Sequence, residues 1–340
     1  MASAPVQHAR ERRCDPPLAD PFSKDPAAER FLEHLNSVLA PYADADYADV
    51  DEELPTLHVV GVPRSGTTLL YQTIAHGLDV AYVTNLVAAF WRAPVYGLLL
   101  AQKLGVDNAA SSFGSTFGRT AGIAEPHEFG YFWNAHLRYP DLCERPPEHE
   151  ATIDWPGLCR VIVNMAAVAG KPMAFKPMLL MWHLEAAVRS MPRTCMVWIR
   201  RDPAETALSL LRMRMGMFGT YERWASLRPG GPSWLEEEPP ARQVALQVLR
   251  LERTLEDAAA RLGPERVATV RYEELCADPM SVLAQTRDLL ASHGHTPAWR
   301  RTSLPHFERH VVDDVRAEFG SQVEEALASC SEAGSGLAQR

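Results

Sequence analysis

The stretch GVPRSGTT, from Gly61 to Thr68, has the spacing of a phosphate-binding loop but lacks the lysine of such a loop. In nucleoside triphosphatases the pattern is G-x-x-x-x-G-K-[ST]; its lysine reaches the β- and γ-phosphates, and a hydroxyl holds Mg²⁺. Thr67 stands where that lysine would be, so a triphosphate would be held poorly. Arg64 lies inside the turn instead, and its planar guanidinium suits bidentate contact with a multi-oxygen anion. The motif predicts an anion-binding loop, with a plain glycine-containing turn as the alternative.

A second basic motif, RRDPAETALSLL, follows the apolar run TCMVWI. Arg200 and Arg201 would close a buried strand beside a helix N-terminus, which is the edge of an open α/β sheet where ligands bind. Ser209 lies two turns along that helix, so it reaches the same ligand only if the ligand runs alongside the helix. Asp202 makes a poor Mg²⁺ site because two guanidinium groups precede it. Taken alone, the pattern fits either a second anion contact or a surface arginine pair.

These motifs lie in a chain where β-prone runs alternate with helical spacing, which predicts an α/β fold of three layers around a central parallel sheet. Residues 1–54 are expected to be a polar lead-in with one helix, and residues 55–340 a single domain without internal repeats. The predicted strands are LHVVGV, VAYVTNL, KPMAFKP, TCMVWI and RVATVRY. The predicted helices are PAAERFLEHLNSVLAPY, TTLLYQTIAHGL, APVYGLLLAQKLG, a short helix starting near Pro126, WPGLCRVIVNMAAVAG, MLLMWHLEAAVRSMP, RRDPAETALSLLRMRMG, ARQVALQVLRLERTLEDAAARLG and DPMSVLAQTRDLLASHG.

Composition excludes several classes of protein. With 46% hydrophobic and 23% charged residues, the chain of 340 residues is typical of a soluble globular protein. Its net charge of −9 gives no support to a nucleic-acid partner. No run of 18 apolar residues predicts a membrane span, and the N-terminus lacks the apolar core of a secretory signal. The six cysteines have no C-x-x-C pair, which favours reduced thiols in a cytoplasmic protein over disulfides or a zinc site.

Together the two basic motifs resemble the sulfotransferase family that uses 3′-phosphoadenosine 5′-phosphosulfate, whose members share a P-loop-like α/β fold. In that family P-[RK]-[ST]-G-[ST]-[ST] wraps the 5′-phosphosulfate, and an arginine followed eight residues later by a serine holds the 3′-phosphate. The resemblance covers about residues 57–292 and implies this donor and no metal. A later segment, VRYEELCADP, is similar to the family's Y-E-x-L-x-x-[DH]-P, and AFKP resembles its lysine segment. The implied donor-binding residues are Arg64, Ser65, Gly66, Thr67, Thr68, Arg201, Ser209 and Tyr272, with Lys176 as a further cation.

Sulfuryl transfer to a hydroxyl needs cationic stabilisation of the departing phosphate and a general base. By analogy with phosphoryl transfer, Arg64 and Lys176 would supply the charge. Family members related to the cytosolic enzymes carry a histidine two residues after the lysine, whereas this chain has Met178. His183 is predicted to be a core histidine. The candidates for the base lie in AEPHEFGYFW and are Glu125, His127 and Glu128, with Glu128 in the first turn of a helix started by Pro126.

The alternative for Glu125 and Glu128 is that both carboxylates only complement the dipole of that helix. Three functions therefore stay open: a sulfotransferase acting on a hydroxyl of a small or carrier-bound acceptor, an ATP- and Mg²⁺-dependent kinase, and a nucleotide-binding protein without turnover. The missing loop lysine and the surroundings of Asp202 argue against the kinase, while Met178 keeps the third alternative open. The segments AAFWRAP, EFGYFW and MRMGMFGTYERW would suit an apolar acceptor or simply the core. Neither the acceptor nor the oligomeric state follows from the sequence.

Overall fold

The structure is a computed structural model that describes residues 23–106, 113–230, 235 and 237–333. Within these residues the strands are β1 (Thr56–Val60), β2 (Ala81–Tyr82), β3 (Met173–Phe175), β4 (Thr194–Arg200) and β5 (Val267–Arg271). They form one sheet in the order β2-β3-β1-β4-β5, with every neighbouring pair parallel. The central strand β1 pairs with β4 in parallel, so the segments that follow these two strands leave the same edge of the sheet side by side.

Helices cover both faces of this sheet, which confirms the predicted three-layer α/β architecture. The helices are α1 (Pro26–Asp46), α2 (Thr67–Gly77), α3 (Asn85–Ala88), α4 (Pro94–Lys103), α5 (Gly130–His136), α6 (Trp155–Ala169), α7 (Leu184–Ser190), α8 (Pro203–Phe218), α9 (Pro240–Leu262), α10 (Tyr272–Ala277), α11 (Pro279–Ser292) and α12 (Asp313–Ala333). One face of the sheet packs on α2, α10 and α11, and the other packs on α5 to α9 and α12.

Strand β4 shows how the sequence pattern builds the layers. Its residues are almost all buried, and alternate side chains point to opposite faces of a strand. Cys195, Val197 and Ile199 therefore enter the cluster under α2 and α11. Met196 and Trp198 enter the larger cluster on the other face. Burial on both faces gives the continuous apolar run by which this strand is recognised in the sequence.

Two helix predictions are wrong, and both errors lie near the predicted site. The helix expected near Pro126 begins only at Gly130, because Pro126 pairs with Thr84 in an isolated bridge and Phe129 adopts a left-handed φ of 59°. Glu128 therefore precedes the helix instead of lying in its first turn. The single helix expected over MLLMWHLEAAVRSMP is a 3₁₀ turn, Leu179–Trp182, followed by α7, with the break at His183 (φ −135°).

Several features are shorter, additional or outside the described residues. The strand expected over VAYVTNL keeps only Ala81 and Tyr82, because Thr84 already caps α3. Helix α12 has no counterpart among the predictions and packs on α8 and α9.

Cysteines 143, 159, 195, 276 and 330 are free thiols, while Cys14 lies outside the described residues. No described helix is both long and apolar enough to cross a membrane.

Candidate active site

The predicted phosphate loop connects β1 to α2, and two glycines allow its tight path. Gly66 has φ 107°, and a Cβ there would lie 2.5 Å from the ring of Tyr272. A Cβ on Gly61 would lie 2.7 Å from the Ser65 hydroxyl and 2.8 Å from the carbonyl oxygen of Ile199. Only glycine fits such close approaches without displacing the backbone. The loop is thus pressed between β4 and α10.

The loop presents polar groups that a bound anion would satisfy. The Ser65 side chain is fully buried, and its Oγ has no hydrogen-bond partner among the described residues. Helix α2 begins at Thr67, and Gly66 before it offers no side chain to cap the first amides. Free amides at a helix N-terminus, together with the helix dipole, favour an anion. The loop therefore presents a buried hydroxyl and the uncapped N-terminus of α2 at one place.

Arg64 links this loop to the second basic motif. Its φ is 74°, and its Nε donates to the Ser209 hydroxyl at 3.1 Å. Ser209 lies on α8 and is almost completely buried. Burial, together with the nearby Arg201 charge, lowers the pKa of Arg64 to about 10, so the guanidinium stays protonated at neutral pH. The two motifs singled out in the sequence thus meet at one hydrogen bond.

Arg201 lies beneath the loop and is 8% exposed. Its Nη1 donates to the carbonyl oxygen of Arg64 at 3.2 Å, and its Nη2 donates to the carbonyl oxygen of His310. The guanidinium also lies 4.5 Å from the centre of the Tyr272 ring, and Tyr272 Oη accepts the His310 amide at 3.1 Å. Glu205, one helical turn along α8, lies 3.7 Å away and offsets part of the charge. Arg201 therefore joins the loop, α10 and the segment before α12.

A third guanidinium extends this cationic cluster. Arg212 lies one turn after Ser209 on α8, and its Nη1 donates to His310 Nε2 at 3.2 Å. Partial desolvation, followed by the charges of Arg212, Arg64 and Arg201, lowers the pKa of His310. A neutral His310 can accept the hydrogen bond of Arg212. The cluster therefore has three arginines whose positive charges converge on one edge of the sheet.

Arg200 faces away from this cluster, although it is next to Arg201 in the chain. Its guanidinium pairs with Glu256 at 2.7 Å and Glu252 at 3.3 Å on α9. It also lies 4.6 Å from the centre of the Trp198 ring. Of the predicted arginine pair, therefore, Arg201 contacts the loop and Arg200 pairs with α9.

Lys176 and Glu128 form an ion pair at the start of α2. The Lys176 ammonium donates to a Glu128 carboxylate oxygen and also to the Thr68 hydroxyl at 3.2 Å. Lys176 is 3% exposed, whereas the Glu128 side chain keeps 37% of its surface exposed. A Cβ on Gly118 would lie 3.2 Å from Glu128 Oε1, so the backbone of Gly118 lies close against this carboxylate. A cation and a carboxylate thus stand together beside the loop, as proton transfer and charge stabilisation require.

The other two candidates for the base have different surroundings. Glu125 is buried, and its carboxylate accepts a hydrogen bond from Gln72 Nε2 at 2.9 Å in the middle of α2. His127 is exposed, and its Nδ1 accepts the amide of Phe129 at 2.8 Å, which stabilises the turn before α5. Of the three candidates, Glu128 has the hydrogen bond to Lys176 described above.

The remaining predicted positions have structural surroundings. His183 is buried and hydrogen-bonded to Tyr139 and Glu150, as expected for a core histidine. Met178 packs against the larger hydrophobic cluster. Asp202 caps α8 by accepting the amide of Glu205 at 2.9 Å. Among the described residues no group of three or more histidine, cysteine or acidic side chains could hold a metal ion.

Several residues at the site lie outside the motifs that were identified from the sequence. Arg212 could have been found, since it lies three residues after Ser209 and so shares its face of α8. Phe117 and Gly118 belong to a glycine- and aromatic-rich loop whose path no periodicity reveals. His310 contacts Arg201 and Tyr272 through its backbone groups, so the identity of its side chain does not predict these contacts. Contacts between distant segments determine all of these positions.

Fold and site together define an α/β protein in which a lysine-free phosphate loop lies beside a cluster of arginines. A model of the sulfotransferase family matches residues 55–295, and the chain belongs to that family. The predicted sulfotransferase fold is thereby confirmed. No curated protein matches the chain.

Solved structures similar to this chain are bacterial sulfotransferases. STF9 from Mycobacterium avium is 16% identical, with 88% of this chain and 86% of that chain covered and a TM-score of 0.44. STF1 from Mycobacterium tuberculosis H37Rv is 17% identical, with coverages of 86% and 82% and a TM-score of 0.44. A sulfotransferase from Alicyclobacillus acidocaldarius is 15% identical, with coverages of 81% and 93% and a TM-score of 0.41. The assignment to the family depends on the family match.

Proposed function

We propose that this protein transfers a sulfuryl group from 3′-phosphoadenosine 5′-phosphosulfate to a hydroxyl of a small or carrier-bound acceptor. One observation carries the proposal: the hydrogen bond from Arg64 to Ser209 brings the phosphate loop and the second basic motif into one site. A donor with an anionic group at each end requires two such elements at a fixed distance. The family membership of the chain supports the same class of reaction.

The residues present fit this donor at both ends. At the loop, the buried Ser65 hydroxyl and the uncapped start of α2 suit the 5′-phosphosulfate. At the other end, Arg201 and Ser209 suit the 3′-phosphate, with Arg212 close by through His310. Tyr272 stiffens this end because it packs against both Gly66 and Arg201. The fit needs no metal ion, since guanidinium and ammonium groups supply the positive charge.

In the proposed step, the acceptor oxygen forms a bond to sulfur while the bond from sulfur to the bridging phosphate oxygen breaks. The electron pair of the broken bond stays on the departing adenosine 3′,5′-bisphosphate. Lys176 and Arg64 stabilise that growing negative charge. Glu128 accepts the proton of the acceptor hydroxyl, and its half-exposed carboxylate leaves it open to an acceptor. The contact between Lys176 and Glu128 places these two tasks next to each other.

The two alternative functions lack comparable support. A kinase would need a loop lysine and a carboxylate for Mg²⁺, but Thr67 replaces the lysine and Asp202 caps a helix. A binding protein without turnover would need no base, whereas Glu128 beside Lys176 offers one despite Met178. We also propose that residues 55–340 act as one domain and that the free cysteines reflect a cytoplasmic location.

The decisive experiment is a calorimetric titration of the full chain with adenosine 3′,5′-bisphosphate, beside AMP and beside ADP with Mg²⁺. We expect only the bisphosphate to bind tightly and Arg201→Ala to abolish that binding. Arg200→Ala is the matched control, because that neighbouring guanidinium contacts α9 and should leave binding unchanged. A preference for ADP with Mg²⁺ would replace the sulfotransferase proposal with the kinase. Transfer of labelled sulfate to a hydroxyl compound would then exclude a protein without turnover.

A further inference from the structure

A tight turn, Thr116–Arg119, lies directly over the cations of the site. The amide and carbonyl of Thr116 exchange hydrogen bonds with those of Arg119, at 2.9 and 3.0 Å. The two central residues have left-handed backbones, with φ 49° at Phe117 and 90° at Gly118. A phenylalanine rarely adopts this conformation, so it persists only where the surroundings hold it. Such strain is common where backbone geometry serves a function.

The flanks of the turn are tied to helices on the same edge of the sheet. Asn85 Nδ2 donates to the carbonyl oxygens of Gly122 at 2.8 Å and Thr120 at 3.2 Å. Gln72 Nε2, on α2, donates to the carbonyl oxygen of Gly114 at 3.3 Å. The turn is therefore fixed on both sides while its tip projects over the loop.

The tip touches both halves of the site. The Phe117 ring centre lies 5.5 Å from the Arg64 guanidinium carbon, and the ring packs so closely on α8 that a Cβ on Gly216 would lie 2.4 Å from it. On the other side, a Cβ on Gly118 would lie 3.2 Å from Glu128 Oε1 and 3.6 Å from Thr68 Oγ1. Glycine is the residue that lets this backbone lie against the Lys176–Glu128 pair.

We propose that this turn roofs the transfer site, and that Phe117 keeps water from the sulfuryl group so that the acceptor hydroxyl receives it. This inference rests on the proposed function. The competing reaction is hydrolysis, in which a water oxygen bonds to sulfur and the bond from sulfur to the phosphate oxygen breaks. Its products are inorganic sulfate and adenosine 3′,5′-bisphosphate, with the protons of the water passing to solvent. A closed site suppresses such side reactions by excluding water.

The test measures inorganic sulfate released from sulfur-labelled donor by the full chain in the absence of an acceptor. We expect Phe117→Ala to raise the rate of release by roughly tenfold, because the apolar cover is removed. Binding of adenosine 3′,5′-bisphosphate, measured in parallel by calorimetry, should be retained. Ile123→Ala is the control, since that apolar side chain follows the same loop but is 62% exposed. It should release sulfate at the wild-type rate.

A second variant tests the position of the Phe117 ring from the side of α8. Gly216→Ala should displace the Phe117 ring while favouring the helical backbone of α8. It should therefore raise sulfate release as Phe117→Ala does, and the double variant should go no further than the larger single effect. If both single variants release sulfate at the wild-type rate while bisphosphate binding is intact, the proposal that this turn excludes water is wrong. Failure of the wild type to bind the bisphosphate would instead overturn the proposed function.

Discussion

Arg64 and Ser209 are 145 residues apart in the chain, yet the arginine Nε lies 3.1 Å from the serine hydroxyl. The sheet explains this contact, because β1 and β4 are adjacent and in register, with Val60 opposite Trp198. The loop after β1 and the helix after β4 therefore start at the same edge. In the proposed function, this hydrogen bond would help to fix the distance between the two ends of a bound donor.

This contact predicts that Arg64→Ala and Ser209→Ala are coupled in their effect on bisphosphate affinity. A hydrogen bond to a charged group contributes about 1.5–3 kcal/mol, so each single variant should weaken binding. Since both variants break the same bond, the double variant should lose less than the sum, by at least ~0.5 kcal/mol. Calorimetry on the four proteins gives this coupling energy. Strictly additive losses would mean that the two residues act independently on the ligand.

Glu128→Gln should reduce turnover by about 10²-fold or more, because the amide cannot accept the acceptor proton. Affinity for the bisphosphate should stay unchanged, since the cations of the loop remain. Glu125→Gln is the matched control: that carboxylate is bonded to Gln72, and its loss should affect turnover far less. Steady-state rates and calorimetry separate the two quantities. Wild-type turnover in the Glu128 variant would assign the base to another residue.

Gly66→Ala should abolish bisphosphate binding and lower the free energy of unfolding. The added methyl would meet the Tyr272 ring at 2.5 Å and force the loop out of its path. Gly105→Ala is the control for backbone strain, since that glycine also has a positive φ of 64° but has nothing within 4 Å. It should cost only about 1 kcal/mol of stability and leave binding intact. Equal effects of both substitutions in denaturant unfolding would show that contact with Tyr272 is unimportant.

Stability should fall as the pH drops below about 6.5, and His58 should contribute to that loss. This histidine is completely buried between the Phe175 and Trp133 rings, and burial lowers its pKa to about 3. Between about pH 3 and the ordinary histidine pKa of 6.5, the His58 side chain binds a proton in the unfolded chain but not in the folded protein. The free energy of unfolding therefore rises with pH over this window, by at most ~1.4 kcal/mol per pH unit from this group.

His58→Phe should flatten that dependence, since the new side chain is also a flat aromatic ring but has no titratable group. The measurement is urea unfolding of the wild type and the variant at pH 7 and pH 5. Other buried histidines, such as His76 with a pKa of about 4, leave part of the slope in place. An unaltered slope in the His58 variant would show that this histidine is not the titrating group.

Local patterns were enough to predict the fold class and the loop, strand and helices that carry the two basic motifs. The glycine spacing around Arg64 and the apolar run before Arg201 each follow from short-range rules, and both elements form where expected. The environment of Glu128 did not follow from such rules. Its residue type suggested a base, but the left-handed Phe129 delays the start of α5 and lets the carboxylate reach Lys176. That contact joins segments 48 residues apart, which no periodicity encodes.

The longest-range contacts were the least predictable. Helix α12 and the segment before it approach the site through the backbone of His310, and every residue type except proline offers the same backbone groups. The break at His183 has a similar origin, because its ring bonds to Tyr139 and Glu150 outside its own helix. The helical spacing alone predicts a helix that continues through His183. Tertiary contacts override local preference at both places.

The hydrogen bond from Arg201 to the carbonyl of His310 spans 109 residues, and it ties the order of synthesis to the order of assembly. A ribosome makes the phosphate loop early and the second motif later, and the strands that carry them can pair as soon as both have emerged. The Arg201 and Tyr272 side chains, however, gain these backbone partners only after residue 310 has left the exit tunnel. A growing chain would therefore hold an incomplete site until the segment before α12 has emerged.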